Sequence, residues 1–233
     1  MKRLLITTIG LLISFSMALP GYAMNIGFGG MRMNVKVKNY REMRNRNIVQ
    51  QGIDYSCGPA SLATLLTFYL GEDVSEAEVI EYLLDNLSEE RWALIEERHG
   101  FSLLDLKVFA QNKGFEAAGY RMDLEGLLEL GKPVIIPIRV KNYDHFVVFR
   151  GAKGNRAYLA DPALGNRSML LSQLGKIWKG VGLVVQRPSE DGEEGGRYPL
   201  AIGKEESLMP QDIVAGQAIT ENQLSNYVSF SEF

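Results

Sequence analysis

The sequence predicts an α+β fold in which a helical half precedes an antiparallel sheet. Three observations carry this. Before Gly114, apolar residues recur at helical spacing behind Ser-x-x-acid capping signals, Ser75-Glu76-Ala77-Glu78 and Ser102-Leu103-Leu104-Asp105. After Gly114, short runs rich in β-branched residues take over, the clearest being Val134-Ile135-Ile136-Pro137-Ile138-Arg139-Val140. Two further runs flank Lys153-Gly154-Asn155, a turn signal that joins strands as a hairpin.

Taken in order, residues 1–23 read as a secretory signal peptide. Lys2 and Arg3 supply the positive start, residues 4–18 are almost wholly apolar, and Pro20, Gly21 and Ala23 give a helix break and small residues for a signal peptidase. The rival is a retained anchor, but the apolar run is short against the roughly 20 residues a spanning helix needs. Cleavage near Ala23 is therefore expected, leaving an exported chain with no stable membrane span. Residues 24–48 form a basic arm, glycine-rich and flexible at its start. Arg32, Lys36, Lys38, Arg41, Arg44 and Arg46 stand against Glu42.

Residues 49–188 hold the folded domain. Its first helix opens at Cys57-Gly58-Pro59, where the N–H that proline lacks would be unpaired anyway, and Gly71 ends it. Ser75 opens a helix to Asn86, Ser88 another to Arg98, and Ser102 a fourth ending near Lys113-Gly114. Strands are expected over residues 115–121, 134–140, 145–150, 156–160 and 181–186, with short helices over residues 124–130 and 171–177. Trp92 and Trp178 fall in helical patterns and read as packing residues. The Ser/Glu/Asp/Gly run at residues 189–196 reads as a linker into an acidic tail, residues 189–233, where nine acids face Arg197 and Lys204.

Composition narrows the function. The 233 residues are 46% hydrophobic and 23% charged, which excludes collagen-like and wholly disordered chains. A formal net charge of -3 gives no general attraction to nucleic acid. One cysteine, Cys57, excludes an internal disulfide. With only two histidines besides, far apart, no metal site and no cofactor are expected. His99 falls at a helix end, where a cation suits the dipole, and has no catalytic role.

The chemistry concentrates in three places. Cys57 stands at a predicted helix N-terminus, where unpaired N–H groups and the dipole favour a thiolate. An inert buried thiol is the bland alternative, and the adjacent Gly58 and Pro59 argue against simple core filling. His145 begins a strand, and Asp161 follows the next one. If those strands pair as a hairpin, their outer ends lie together. An imidazole could then take the cysteine proton while a carboxylate fixes its tautomer. Alone, His145 would be a structural histidine and Asp161-Pro162 a turn.

These residues resemble the C39 peptidases, papain-like cysteine proteases that include the leader-cleaving domains of bacteriocin exporters. The resemblance rests on Gln51, Cys57-Gly58-Pro59-Ala60, His145 followed by Val147-Val148, and Asp161-Pro162, within roughly residues 49–185. It implies a papain-like fold with the helical part packed on an antiparallel sheet. It also implies a nucleophile at Cys57, a general base at His145, an orienting acid at Asp161 and an oxyanion donor at Gln51. Gln50 is the neighbouring alternative, and a surface amide is the bland reading of either. Unlike the exporters, this sequence has no GxxxxGK[ST] phosphate loop, and its signal peptide points outward. That pattern is similar to the stand-alone proteases of functional-amyloid secretion systems. It implies a periplasmic location, with a polypeptide substrate such as amyloid subunits or secretion components. The family's glycine preference also suggests self-cleavage after Gly30 or Gly196. The leading expectation is an exported cysteine endopeptidase. The alternatives are a catalytically silent peptide-binding chaperone or secretion adaptor, and an acyl transferase using the same thiol.

Overall fold

A computed structural model describes residues 24–28, 31–35, 40–86, 88–98, 100–141, 143–188, 200 and 202. Residues 1–23, expected as a signal peptide, lie outside these, as do His99, both double glycines, nearly all of the acidic tail and the side chain of Trp92. The chain divides after Met43 into two compact units.

In the first unit, β1 (Met24–Phe28) pairs antiparallel with β2 (Met31–Val35), Met24 opposite Val35 and Phe28 opposite Met31. Both strands fall within the stretch expected as a basic arm. Apolar residues alternate along both segments. Glycine content masked that alternation. A short helix, α1 (Tyr40–Arg44), follows across the boundary.

The second unit begins with α2 (Cys57–Leu65), whose chain continues through one wide π turn, Leu66–Leu70, to Gly71 at φ 75°. Then come α3 (Glu76–Asn86), α4 (Glu89–Arg98) and α5 (Leu103–Asn112). The predicted caps are in place. Ser75 Oγ accepts from the Glu78 N–H, and Ser102 and Asp105 form a reciprocal capping box. β3 (Glu116–Arg121), α6 (Leu124–Glu129), β4 (Val134–Val140), β5 (Tyr143–Lys153), β6 (Arg156–Asp161), β7 (Gly165–Leu170), α7 (Leu171–Ile177) and β8 (Val181–Gln186) complete it. One six-stranded sheet runs in the order β3-β8-β4-β5-β6-β7, with every pairing antiparallel.

Two layers of apolar side chains enclose this sheet. Leu62, Leu65 and Leu66 pack with Val79, Leu83, Leu106 and Phe109 against Ile135, Phe146, Val148, Leu183 and Val185. On the other face, Leu127 and Leu174 from α6 and α7 cover Val134, Ile136, Ile138, Val147, Phe149 and Leu159. The alternation along β4 and β5, odd residues one way and even the other, is what two-sided burial of a strand demands. Trp178 packs in the second layer and donates its indole N–H to Val181 O at 2.7 Å, as a packing residue should.

Three features depart from the sequence expectation. β5 starts two residues early, at Tyr143. β7 was not anticipated, because Gly-Asn-Arg-Ser-Met-Leu lacks a β-branched run. It forms because its backbone completes the ladder with β6, Asp161 opposite Gly165 through Arg156 opposite Leu170. Gly165, at φ +82°, is also a steric requirement, since a Cβ there would meet Arg44 and Asn45 at 2.7 Å. Finally, two residues outside the expected 49–188 stretch pack with it. Ile48 from the arm and Leu200 from the tail are buried in the first core layer, and Arg150 Nε donates to Leu200 O at 2.7 Å.

Candidate active site

Cys57 is the first residue of α2, and the loop before it is tied at several points. The Gln51 N–H donates to Pro162 O at 3.0 Å. The Gly52 N–H donates to the Glu76 carboxylate, at 2.9 Å to Oε2, and Ser56 Oγ donates to Ile53 O at 2.6 Å. Tyr55 is held at φ 65°, a left-handed conformation that non-glycine residues adopt only when their surroundings impose it. The helix is docked from the other side as well, since Ser61 Oγ donates to Phe146 O at 3.1 Å.

Hairpin register supplies the other groups. β5 and β6 leave the Lys153–Arg156 pair together, and Val148 sits opposite Ala160 near their open end. His145 and Asp161 therefore meet there, with His145 Nε2 2.8 Å from Asp161 Oδ1. That oxygen also accepts from the N–H groups of Ala163 at 3.0 Å and Leu164 at 3.1 Å. Asp161 is thus both the turn-former and the imidazole's partner, two readings that stood as alternatives in the sequence. Its Oδ2 lies 3.1 Å from Arg167 Nε on β7. Neither atom has an aligned hydrogen-bond partner, so the contact acts through charge.

With Nε2 engaged by Asp161, the imidazole has Nδ1 left for the thiol, and the Cys57 sulfur is held by three groups. His145 hydrogen-bonds to it, the Tyr143 hydroxyl stands 3.1 Å away, and the Phe146 N–H donates at 3.5 Å. Electrostatics follow from this. Burial alone would push the Cys57 thiol up, but His145 and these donors outweigh it and lower it. Burial would lower His145, yet Asp161 and Cys57 push it up to about 10. Burial would raise Asp161, yet His145 and Arg167 hold its carboxyl well below the usual carboxylate range. These shifts favour a thiolate beside an imidazolium, backed by a carboxylate. A thiolate so placed can attack a carbonyl carbon, and the imidazolium can protonate the leaving group.

Residues 45–190 match the model of the peptidase C39 family. The chain belongs to the peptidase C39 family. It is 35% identical over 187 residues to the probable functional amyloid protease FapD of Pseudomonas aeruginosa, covering 78% of this chain and 79% of that protein. It is also 35% identical over 157 residues to the probable functional amyloid protease FapD of Pseudomonas fluorescens, covering 67% and 68%. Among solved structures, the peptidase domain of the Streptococcus transporter ComA shares the fold, with a TM-score of 0.50 and 24% identity over 60% of this chain and 98% of that one.

The structure therefore brings together Cys57, His145 and Asp161 in this C39 chain. Gln51 joins them through its backbone, one residue from Asp161's turn. Its Nε2 donates to Ile53 O at 3.4 Å, while its Oε1 is buried without a hydrogen-bond partner. Gln50 is exposed. Two residues at the site were missed in the sequence. Tyr143 precedes His145 by two, the offset that puts two side chains on one strand face, and that spacing was the available signal. Arg167 had no signal, because it depends on the unanticipated β7. Ile53 and Tyr55 are exposed beside the site and offer apolar surface. Among the described residues, no three His, Cys, Asp or Glu side chains are grouped as a metal ion would need. No described helix is long and apolar enough to cross a membrane.

Proposed function

We propose that this C39 peptidase is exported and cleaves secreted polypeptides of a functional-amyloid system through an acyl-thioester on Cys57. One observation carries the reading. Nucleophile, imidazole and carboxylate are hydrogen-bonded in series, and the shifts favour the charged, reactive pair. The Cys57 thiolate attacks the scissile carbonyl, and the negative charge moves to the carbonyl oxygen. The Cys57 N–H and the Gln51 amide, turned from Ile53, stabilise that oxygen, and losing such a donor costs about 10²–10³ in rate. The His145 imidazolium gives its proton to the departing amine as the C–N bond breaks. Neutral His145 then takes a proton from water, whose oxygen displaces the sulfur and releases the acid. Asp161 holds the ring throughout and balances its charge.

The amyloid context draws on the FapD relatives, and export draws on the first 23 residues. The test is a deletion strain complemented with wild type or Cys57→Ala, with N-terminal peptide mass spectrometry of exported proteins. New termini in an amyloid subunit or secretion component, absent with Cys57→Ala, are expected. Identical termini and identical fibres with both would overturn the enzyme and favour a peptide-holding role for the cleft.

A further inference from the structure

The nucleophile is covered in this structure. Cys57 is only 2% exposed, whereas a scissile carbonyl must come within about 3–3.5 Å of the sulfur. Something must move before catalysis. Of the groups on the sulfur, the Phe146 N–H is fixed in β5, and His145 is fixed by Asp161. Tyr143 differs, since a side-chain rotation removes its hydroxyl from 3.1 Å without breaking the ladder. It sits at the first position of β5, opposite Val140 and beside Lys141 at φ 54°. Its ring lies 6.0 Å from that of the partly exposed Tyr55 and 6.3 Å from the His145 imidazole.

Resting on Cys57 as nucleophile, we propose that Tyr143 is a further catalytic residue. It caps the free enzyme's thiolate through its hydroxyl and swings aside when a substrate carbonyl arrives. A thiolate has no proton, so the hydroxyl is the donor. The groups around the sulfur are Tyr143, His145 and the Phe146 N–H from β5 and the α2 N-terminus, with Asp161 and Arg167 behind the imidazole. The capping bond stabilises the thiolate before attack and must be surrendered during it. It therefore lowers the pH at which the thiolate forms while making that thiolate less nucleophilic. The ring meanwhile excludes bulky electrophiles.

The test alkylates the mature protein with iodoacetamide across pH, and with a bulky maleimide, in wild type, Tyr143→Phe and Tyr143→Ala. In Tyr143→Phe the acid-limb midpoint is expected to rise by roughly 0.5–1 pH unit, the size of one charge-assisted hydrogen bond. Its plateau rate is expected to rise roughly two- to fivefold. In Tyr143→Ala the maleimide-to-iodoacetamide rate ratio is expected to rise about tenfold, as a barrier of about 1.4 kcal/mol is lost. A Tyr143→Phe profile superimposable on wild type, or an unchanged ratio in Tyr143→Ala, overturns the cap. If Tyr143→Ala does not fold, Tyr143→Phe, which keeps the ring, decides. A wild-type midpoint in the ordinary thiol range would instead sink the nucleophile reading itself, so the two failures are separable.

Discussion

The layer under α2, α3 and α5 and the layer under α6 and α7 bury comparable sets of large aliphatic and aromatic residues against one sheet. They differ in what else they bury. Beside the first lie Ser56, Cys57, Ser61 and Thr64, with His145 and Asp161 at the sheet's open end. Each hydroxyl is spent on orientation, Ser61 on Phe146 O and Thr64 on Val49 and Ala60 O. The second layer is apolar apart from one satisfied indole. The difference teaches that one face places charges at fixed distances, while the other keeps the strands still. Damage to the first should therefore be chemical, and damage to the second thermodynamic.

Asp161→Asn breaks the first face and has the largest expected effect. The amide oxygen still accepts from Ala163 and Leu164, so the fold survives, but the charge opposite His145 is gone. A loss of about 10²–10⁴ in kcat/KM is expected. The alkaline limb of the pH profile, near 10 in wild type because Asp161 and Cys57 raise His145, moves toward the ordinary histidine range near 6.5. Stability shifts with the same sign. A raised folded value stabilises below the unfolded one and is lost as pH rises toward 10, so wild type should weaken over that window more than Asp161→Asn. An unmoved alkaline limb would mean that Asp161 does not govern the imidazole.

Ile136→Ala breaks the second face. Ile136 is fully buried between β4's neighbours and the α6–α7 layer. Removing three carbons leaves a cavity and costs about 2–5 kcal/mol of unfolding free energy, read by urea titration. Activity per folded molecule should stay within about twofold of wild type. A large kcat/KM loss at full folding would show that the second layer reaches the chemistry.

The same contrast explains what was legible in the sequence. Caps and periodicity are local, so Ser75, Ser102, the hairpin at Gly154 and the wholly apolar β4 could be read directly. Cys57, His145 and Asp161 were legible because a helix start and a hairpin's open end are positions, and positions follow from local elements. Tyr143 and Arg167 were not, because each is defined by a contact across the fold. Tyr143 needed a longer β5, and Arg167 needed β7, a strand held by its ladder rather than by its composition. The β1–β2 pairing was missed because the glycine content of residues 24–33 outweighed their apolar alternation.

Arg167→Gln gives the smallest effect and the sharpest view of the boundary between the faces. Arg167 is 18% exposed and lies 3.1 Å from Asp161 Oδ2 without an aligned hydrogen bond. Its contribution is charge on Asp161, one step removed from the imidazole. Oδ1 keeps His145 and two backbone donors, so the loss in kcat/KM should stay below roughly tenfold, under about 1.4 kcal/mol. Asp161 titrates below the usual carboxylate range, so its stabilisation is present above that range and is lost as pH falls through the depressed value. Without Arg167 that value rises, so acid unfolding should begin at a higher pH, while the alkaline limb of activity moves far less than in Asp161→Asn. Arg167→Lys should restore the acid side, because it restores the charge. If Lys fails where charge suffices, the guanidinium's shape, packed in β7, is what positions Asp161.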